Sequence, residues 1–407
     1  MKMRLSAGAA LLLAFPLTSL GAGDWTQFRG PSGNGISPEI GTPTRLDPAR
    51  SIAWKVALPG RGLSSPIVVA ERLFLTCASG PRQDRLHLFC FSTRDGKRLW
   101  ERQFWATGRT MTQSKTCVAA PSPATDGRRI FALFSSNDLF CVDLDGNLLW
   151  LRGLTRDYPN ASNSLGMASS LLVVGDTVIA QIENDSDSFA AGLDAATGVN
   201  RWRIERPKSA NWVTPVLVGE LGAGRPIVAL QSSKGVQLVE ASNGRVAGSY
   251  DATAATIPSS CAGGGVVYVP CNGITALRAA GEGQAVQKLW EAKTLRPQTA
   301  SPMLIGNRLF VATGAGMLIC ADARTGEKVW QLRLKGPFSA SPVAATNHAY
   351  LINEKGFLQV VDINPEAKEG RLVGELTLEP TILSTPAIAG GALYIRNDST
   401  LWKIAGG

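Results

Sequence analysis

Short apolar runs recur along this chain between glycine-containing turns. The pattern is clearest from Ser301 to Trp330. Ser301-Pro302 opens it, Leu304-Ile305 and Leu309-Phe310-Val311 flank a Gly306-Asn307 turn, and Leu318 to Asp322 follows Gly314-Ala315-Gly316. Thr325-Gly326 then turns into Lys328-Val329-Trp330. β-rich runs joined by short glycine turns read as hairpins, so each unit is expected to be a four-stranded antiparallel meander. The opening dipeptide returns as Ser65-Pro66, Ser122-Pro123, Ser170-Leu171, Thr214-Pro215, Ser259-Ser260, Ser301-Pro302, Ser341-Pro342 and Thr385-Pro386. These eight openings lie about 46 residues apart on average, which is the period of a propeller blade.

A closing tryptophan follows the turn glycine by four residues at Gly96/Trp100, Gly146/Trp150, Gly198/Trp202 and Gly326/Trp330, and Trp290 takes that part after a longer turn. Gly248 and Gly374 stand near the position in blades four and seven. The last unit, Leu393 to Ile404, supplies no fourth strand of its own, whereas Ile52 to Leu58, carrying Trp54, precedes the first opening and has no blade. The expectation is an all-β, eight-bladed β-propeller of four-stranded antiparallel blades, its ring closed by that N-terminal strand. Its divisions would be a signal peptide at 1–21, an N-terminal strap at 22–51 and one propeller domain at 52–407.

Composition narrows the functional classes. Hydrophobic residues at 44% and charged residues at 18% allow a sizeable core and argue against disorder. Two histidines in 407 residues leave little material for histidine chemistry. The net charge of +9 is scattered, with no basic stripe interleaved with aromatics, so it reads as a solvated surface and not a nucleic-acid groove. Lys2 and Arg4 precede an apolar stretch, Leu5 to Leu20, that Pro16 interrupts and that is too short to span a bilayer. Small residues at Ser19, Gly21 and Gly23 offer cleavage sites. The mature chain is therefore expected to be exported, periplasmic or extracellular, monomeric and without a transmembrane segment.

The segments Gly192-x-Asp194-x-x-Thr197-Gly198-x-x-x-Trp202 and Cys320-x-Asp322-x-x-Thr325-Gly326-x-x-x-Trp330 carry the docking motif of quinoprotein dehydrogenase propellers. Through them the repeats resemble the PQQ-like propeller family over about residues 52–407, a family that includes the outer-membrane assembly factor BamB. Trp25-Thr-Gln-Phe-Arg-Gly-Pro31 and Tyr158-Pro-Asn-Ala-Ser-Asn-Ser-Leu-Gly166 look like segments of exported PQQ-like propeller proteins found in planctomycetes and related bacteria. The resemblance implies a fold more than an activity, because one propeller hosts many functions. It implies pyrroloquinoline quinone (PQQ) as cofactor for enzymatic members, but the adjacent cysteine pair that covers the quinone in some of them is absent here, and no acidic residue matches their calcium ligand.

The residues two before each opening should line the upper channel: Leu63, Ala120, Ala168, Trp212, Ile257, Thr299, Ser339 and Leu383. This small, mostly apolar ring suggests ordinary channel packing. Trp212, Asn211, Gln298, Arg61 and Arg296 are the nearest candidates for holding a quinone. Asp185 and Asp187, in Asn184-Asp185-Ser186-Asp187, alternate as Ca²⁺ ligands do, though a polar turn is the commoner explanation. His87 and His348 fall on distant blades. The seven cysteines fall on repeated blade positions, Cys90, Cys141 and Cys320 sharing one, and read as free thiols in packed strands. The expected function is non-catalytic: a scaffold that recognises a protein or an extracellular polymer. The alternatives are a PQQ-dependent dehydrogenase of alcohols or polymers and an assembly factor like BamB. The intact mass of the exported protein should correspond to a start near Gly21 to Gly23, and a mature chain that retains Met1 would exclude the leader assignment.

Overall fold

The computed structural model describes residues 21, 23–161, 165–222, 224–278 and 286–406. Nearly all of the expected signal peptide, and Ser162 to Ser164 of the Tyr158–Gly166 segment, lie outside the described residues. Eight antiparallel sheets follow one another around a ring. Blade 6 shows the plan, with strands Met303–Ile305, Arg308–Ala312, Met317–Asp322 and Lys328–Arg333 running from the channel outward. Blade 8 takes Ala387–Ala389, Ala392–Arg396 and Thr400–Ile404 from the C-terminal end and Ile52–Ala57 as its outermost strand. That strand pairs antiparallel with Thr400–Ile404, with Val56 opposite Leu401, so the ring closes as the pattern requires.

The core lies between blades. Seven apolar clusters of described residues occupy the seams, and the largest joins blade 8 to both of its neighbours through Tyr350, Tyr394, Trp402 and Leu75. Tryptophans close the outer part of six seams. Trp54, Trp100, Trp150, Trp202 and Trp290 lie against Gly96, Gly146, Gly198, Gly244 and Gly326 of the next blade. Those glycines have φ between +70° and +84°, and a Cβ on any of them would come within 2.6–2.9 Å of indole carbons. Glycine is therefore required twice over, for the turn and for the approach. Each of the five indole N–H groups donates to a carbonyl of that next blade, at 2.8–3.1 Å. Trp330 lies as closely against Gly370. Within their own blades Trp54, Trp100, Trp150, Trp290 and Trp330 pack against Tyr394, Phe74, Phe131, Tyr268 and Phe310, with centroids 5.7–6.0 Å apart.

Gly248 and Gly374 hold the tryptophan position in blades 4 and 7, opposite Leu238 and Val360. In blade 7 the strap fills the space, because a Cβ on Gly374 would strike the Thr44 carbonyl. The cysteines are free thiols. Cys90, Cys141 and Cys320 each stand opposite a closing tryptophan, and Cys261 stands opposite Tyr268. Cys117 packs into the seam between blades 1 and 2, away from the channel, and burial pushes its thiol up to about 12.

The strap crosses one end of the channel and touches the inner strands of blades 1, 2, 3, 5 and 7 three residues after their openings. Trp25 forms a bridge with Val68, the Thr26 carbonyl accepts the Thr125 N–H at 2.9 Å, and Gln27 Oε1 accepts the Val173 N–H at 3.3 Å. Asn34 exchanges two hydrogen bonds with Ala262, at 2.6 and 3.0 Å. Ile36–Ser37 adds a fifth, parallel strand to the channel edge of blade 7. Glu39 then accepts the N–H groups of Gly390 and Gly391 in blade 8. Trp54→Ala should lower stability by about 3 kcal/mol by emptying the seam over Gly96. Deleting residues 52–57 should leave Thr400–Ile404 as an exposed edge and cause self-association. Melting curves and size-exclusion chromatography measure both, and a monomeric deletion variant with unchanged melting would refute the closure.

Candidate functional site

The site is built on the opening residues of the blades. Seven hydroxyls, those of Ser122, Ser170, Thr214, Ser259, Ser301, Ser341 and Thr385, each accept the backbone N–H of the preceding blade's opening residue at 2.8–3.0 Å. The recurrence of Ser or Thr at this position thus has a reason that the sequence pattern alone does not reveal. An alanine would leave a buried N–H unpaired at the wall of the channel. The chain of links stops where the ring closes: Ser65 Oγ is buried with no partner among the described residues. Arg396 spans that seam instead. It is fully buried and donates to the Thr76 carbonyl at 2.7 Å, the Asn397 carbonyl at 3.0 Å and Ser64 Oγ at 3.3 Å.

The expectation of ordinary channel packing is corrected by an open cavity of 420 Å³. All eight residues placed two before the openings line it, and the seven linking hydroxyls lie deeper. Side chains as small as Ala120, Ala168, Thr299 and Ser339 do not reach the axis of an eight-fold ring, so the space stays open. Phe28 of the strap faces it from the closed end. Over the mouth, the segment from Thr107 to Ala120 meets Leu165, with Gln113 N–H donating to the Leu165 carbonyl at 3.0 Å. Lys115 reaches Glu354 of blade 7 at 3.1 Å, and Glu354 also accepts the Ser339 hydroxyl at 2.7 Å.

The candidate residues separate. Trp212 is on the cavity wall, its indole N–H donating to the Gly166 carbonyl at 2.8 Å. Asn211 is buried behind it, donating to Glu183 Oε2 at 2.8 Å and the Gln231 carbonyl at 2.9 Å. Burial raises the Glu183 carboxyl above its ordinary range even though Arg206 pairs with it at 2.6 Å. Arg61 is committed to Asp398 at 3.2 Å and the Ser114 carbonyl at 3.3 Å. Arg296 is exposed and donates to the Lys293 carbonyl. Gln298 is exposed, with its amide against Gly314. Of these five only Trp212 lines the cavity. Asp185 and Asp187 sit in a turn tied by Asn184, which donates to the Asp187 carbonyl at 2.7 Å and accepts the Ser186 N–H. Among the described residues no group of three or more His, Cys, Asp or Glu could hold a metal ion.

Phe28 and Lys115 were not foreseen, since the strap and the long inter-blade connection carry no repeat register that would aim them at the axis. Nor was the cross-strand diagonal on blade 1 foreseen, where His87 lies 2.7 Å from Ser79 Oγ and 2.8 Å from Glu101 Oε1. These residues have serine–histidine–acid connectivity, but they lie away from the cavity, and the backbone at Gly60 closes over Ser79 so tightly that a Cβ there would sit 3.0 Å from the serine Cβ.

A family model described as outer membrane protein assembly factor BamB matches residues 46–180 and 274–365, more than half of the chain. The chain belongs to this PQQ-like propeller family. Among solved structures it is similar to BamB from Moraxella catarrhalis, with 13% identity, a TM-score of 0.60, and 87% of this chain and 97% of that one covered. It is also similar to a europium-containing methanol dehydrogenase, with 12% identity, a TM-score of 0.66, and 95% and 98% covered. A quinohemoprotein alcohol dehydrogenase from Comamonas testosteroni gives 13% identity, a TM-score of 0.55, and 94% and 81% covered. At these identities the likeness shows the fold. No curated protein sequence matches.

The enzymatic likenesses require a test of whether the cavity fits PQQ. That quinone is planar with carboxylates spread around its perimeter. Here the perimeter is Leu63, Ala120, Ala168, Trp212, Ile257 and Leu383 with only two hydroxyls, those of Thr299 and Ser339, and the only cation among the lining residues, Lys115, is already paired with Glu354. Carboxylates against that apolar rim would lose hydration without compensation, so the residues present do not fit the group. Ser301→Ala should cost about 1–3 kcal/mol by orphaning the buried Ser259 N–H, whereas Ser65→Ala, which removes a hydroxyl without a partner, should cost less than about 0.5 kcal/mol. Equal losses in denaturant unfolding would show that the hydroxyl links do not hold the seams.

Proposed function

We propose that this chain is an exported, non-catalytic recognition propeller that binds a protein or an extracellular polymer at the channel mouth. The observation that carries this reading is the mouth itself. Leu165 and Ile257 stand there 43% and 49% exposed, beside Leu63 and Leu383 of the cavity rim. Apolar side chains gathered around an opening and left in water are the mark of a contact surface. The charged groups beside them are consumed in holding the loops: Lys115 by Glu354, and Arg61 by Asp398. That arrangement supports binding, since the acid and base that meet over the mouth, Glu354 and Lys115, are tied to each other. No helix among the described residues is long and apolar enough to cross a membrane.

The family match favours one second reading, a role in outer-membrane protein assembly as the matched description names it. Co-purification with an outer-membrane protein complex separates the two readings. The experiment for the main reading is paired. Purified protein given PQQ and Ca²⁺ should show no dye-linked turnover of alcohols, sugars or polyvinyl alcohol. Capture of its native partner should fall at least tenfold in Ile257→Glu with melting unchanged, because Ile257 is exposed. Turnover that Trp212→Ala abolishes would overturn the reading in favour of an oxidoreductase.

A further inference from the structure

The cavity has a polarity that its small residues conceal. Each of the seven linking hydroxyls accepts a backbone N–H, and none is seen donating its own proton to another described residue. A hydroxyl has one proton to give, so the deep wall is a belt of hydroxyl donors with no acceptor. Cations beneath and beside this belt reinforce it. Arg29, next to Phe28 in the strap, is 1% exposed and donates to the carbonyls of Ser260, at 2.9 Å, and Pro302. Its Nε has no partner. The side chain borders a hollow of 10 Å³ that shares Phe28, Thr214 and Ser259 with the main cavity. Among the described residues no carboxylate is hydrogen-bonded to or ion-paired with it. The group beside it, Cys261, is a thiol that burial pushes up to about 12, so it is neutral and does not cancel the charge. Burial lowers Arg29 itself to about 10, which still leaves it cationic at neutral pH. Arg396, at the closing seam, is a second buried guanidinium bonded to carbonyls, a hydroxyl and a thiol.

Near the mouth the chemistry reverses. Leu63, Ala120, Ala168, Ile257 and Leu383 form a mostly apolar collar, with the Trp212 ring on one side and the hydroxyls of Thr299 and Ser339 interrupting it. A ligand charged all round, as PQQ is, would set carboxylates against this collar. One with a single anionic end and an apolar body would meet hydroxyl donors and buried positive charge at depth, and apolar surface above.

We propose that the channel binds an amphipathic monocarboxylate, its carboxylate directed to the hydroxyl belt above Phe28 and its apolar body held by the collar and Trp212. This rests on the mouth being the recognition face, and it names the chemistry that the face accepts. Two sources share that chemistry: a free aliphatic acid, and the carboxyl terminus of a chain ending in apolar residues.

Calorimetry on the full mature protein separates the possibilities, with octanoate, octan-1-ol and octylamine as probes at neutral pH. Octanoate should bind saturably at one site, octan-1-ol at least tenfold more weakly, and octylamine not at all. Ala168→Trp, which fills the collar, should abolish octanoate binding. Ile257→Asp, at an exposed position that folding does not depend on, should weaken it at least tenfold. Melting curves confirm that both variants are folded. An apolar hexapeptide with a free carboxyl terminus, compared with its amide, distinguishes the sources. Tighter binding of the free-acid peptide than of octanoate assigns the site to chain ends, and binding of octanoate alone assigns it to free acids. Equal affinity for octan-1-ol and octanoate, binding untouched by Ala168→Trp, or no binding of either acid overturns the proposal. If octanoate fails while Ile257→Glu still abolishes partner capture, the recognition reading stands and only the ligand chemistry falls.

Discussion

A blade of four strands has two apolar faces and can bury them only against its neighbours, so everything in this molecule depends on the seams. Each seam has to satisfy a backbone N–H at the channel wall, where the innermost strand has no further strand to pair with. A hydroxyl from the next blade does this seven times around the ring. Because an unpaired buried N–H costs more than a formed bond returns, the position tolerates Ser or Thr and little else. At the outer edge of the same seams, an indole lying on a glycine turn performs the corresponding task with dispersion and one N–H bond.

Where these two devices are missing, something else holds the seam. The Ser65 hydroxyl makes no link, and Arg396 bridges blade 8 to blade 1 with a fan of hydrogen bonds. Blade 7 has no closing tryptophan, and the strap lies over Gly374. The strap is therefore part of the ring. It also decides the character of the channel, because by crossing one end it turns an open tunnel into a blind cavity with Phe28 at the base and Arg29 behind it.

The functional reading follows from how polar groups are shared between structure and site. Arg61, which looked available in the sequence, and Lys115, which the sequence did not single out, are spent on tying loops to blades. The hydroxyls are half spent: their oxygens hold the ring and their protons face no acceptor. The wall of the cavity is therefore made of groups that also hold the ring together.

Repetition made the fold legible. The recurring Ser-Pro openings, the glycine turns and the closing tryptophans specified eight blades, and the strand left over at 52–58 specified how the ring closes, because a three-stranded last blade has only one source for its fourth strand. The ring of residues two before each opening was legible for the same reason, since one register applies to every blade. Tertiary structure decided what lay outside the register. The strap and the connections at 106–120 and 154–168 repeat nothing, so no alignment could place Phe28 beneath the cavity, carry Lys115 across to Glu354 or leave Arg29 buried without a carboxylate. Whether eight small side chains fill a channel or leave it open depends on the diameter of the assembled ring, a quantity that no single blade's sequence contains.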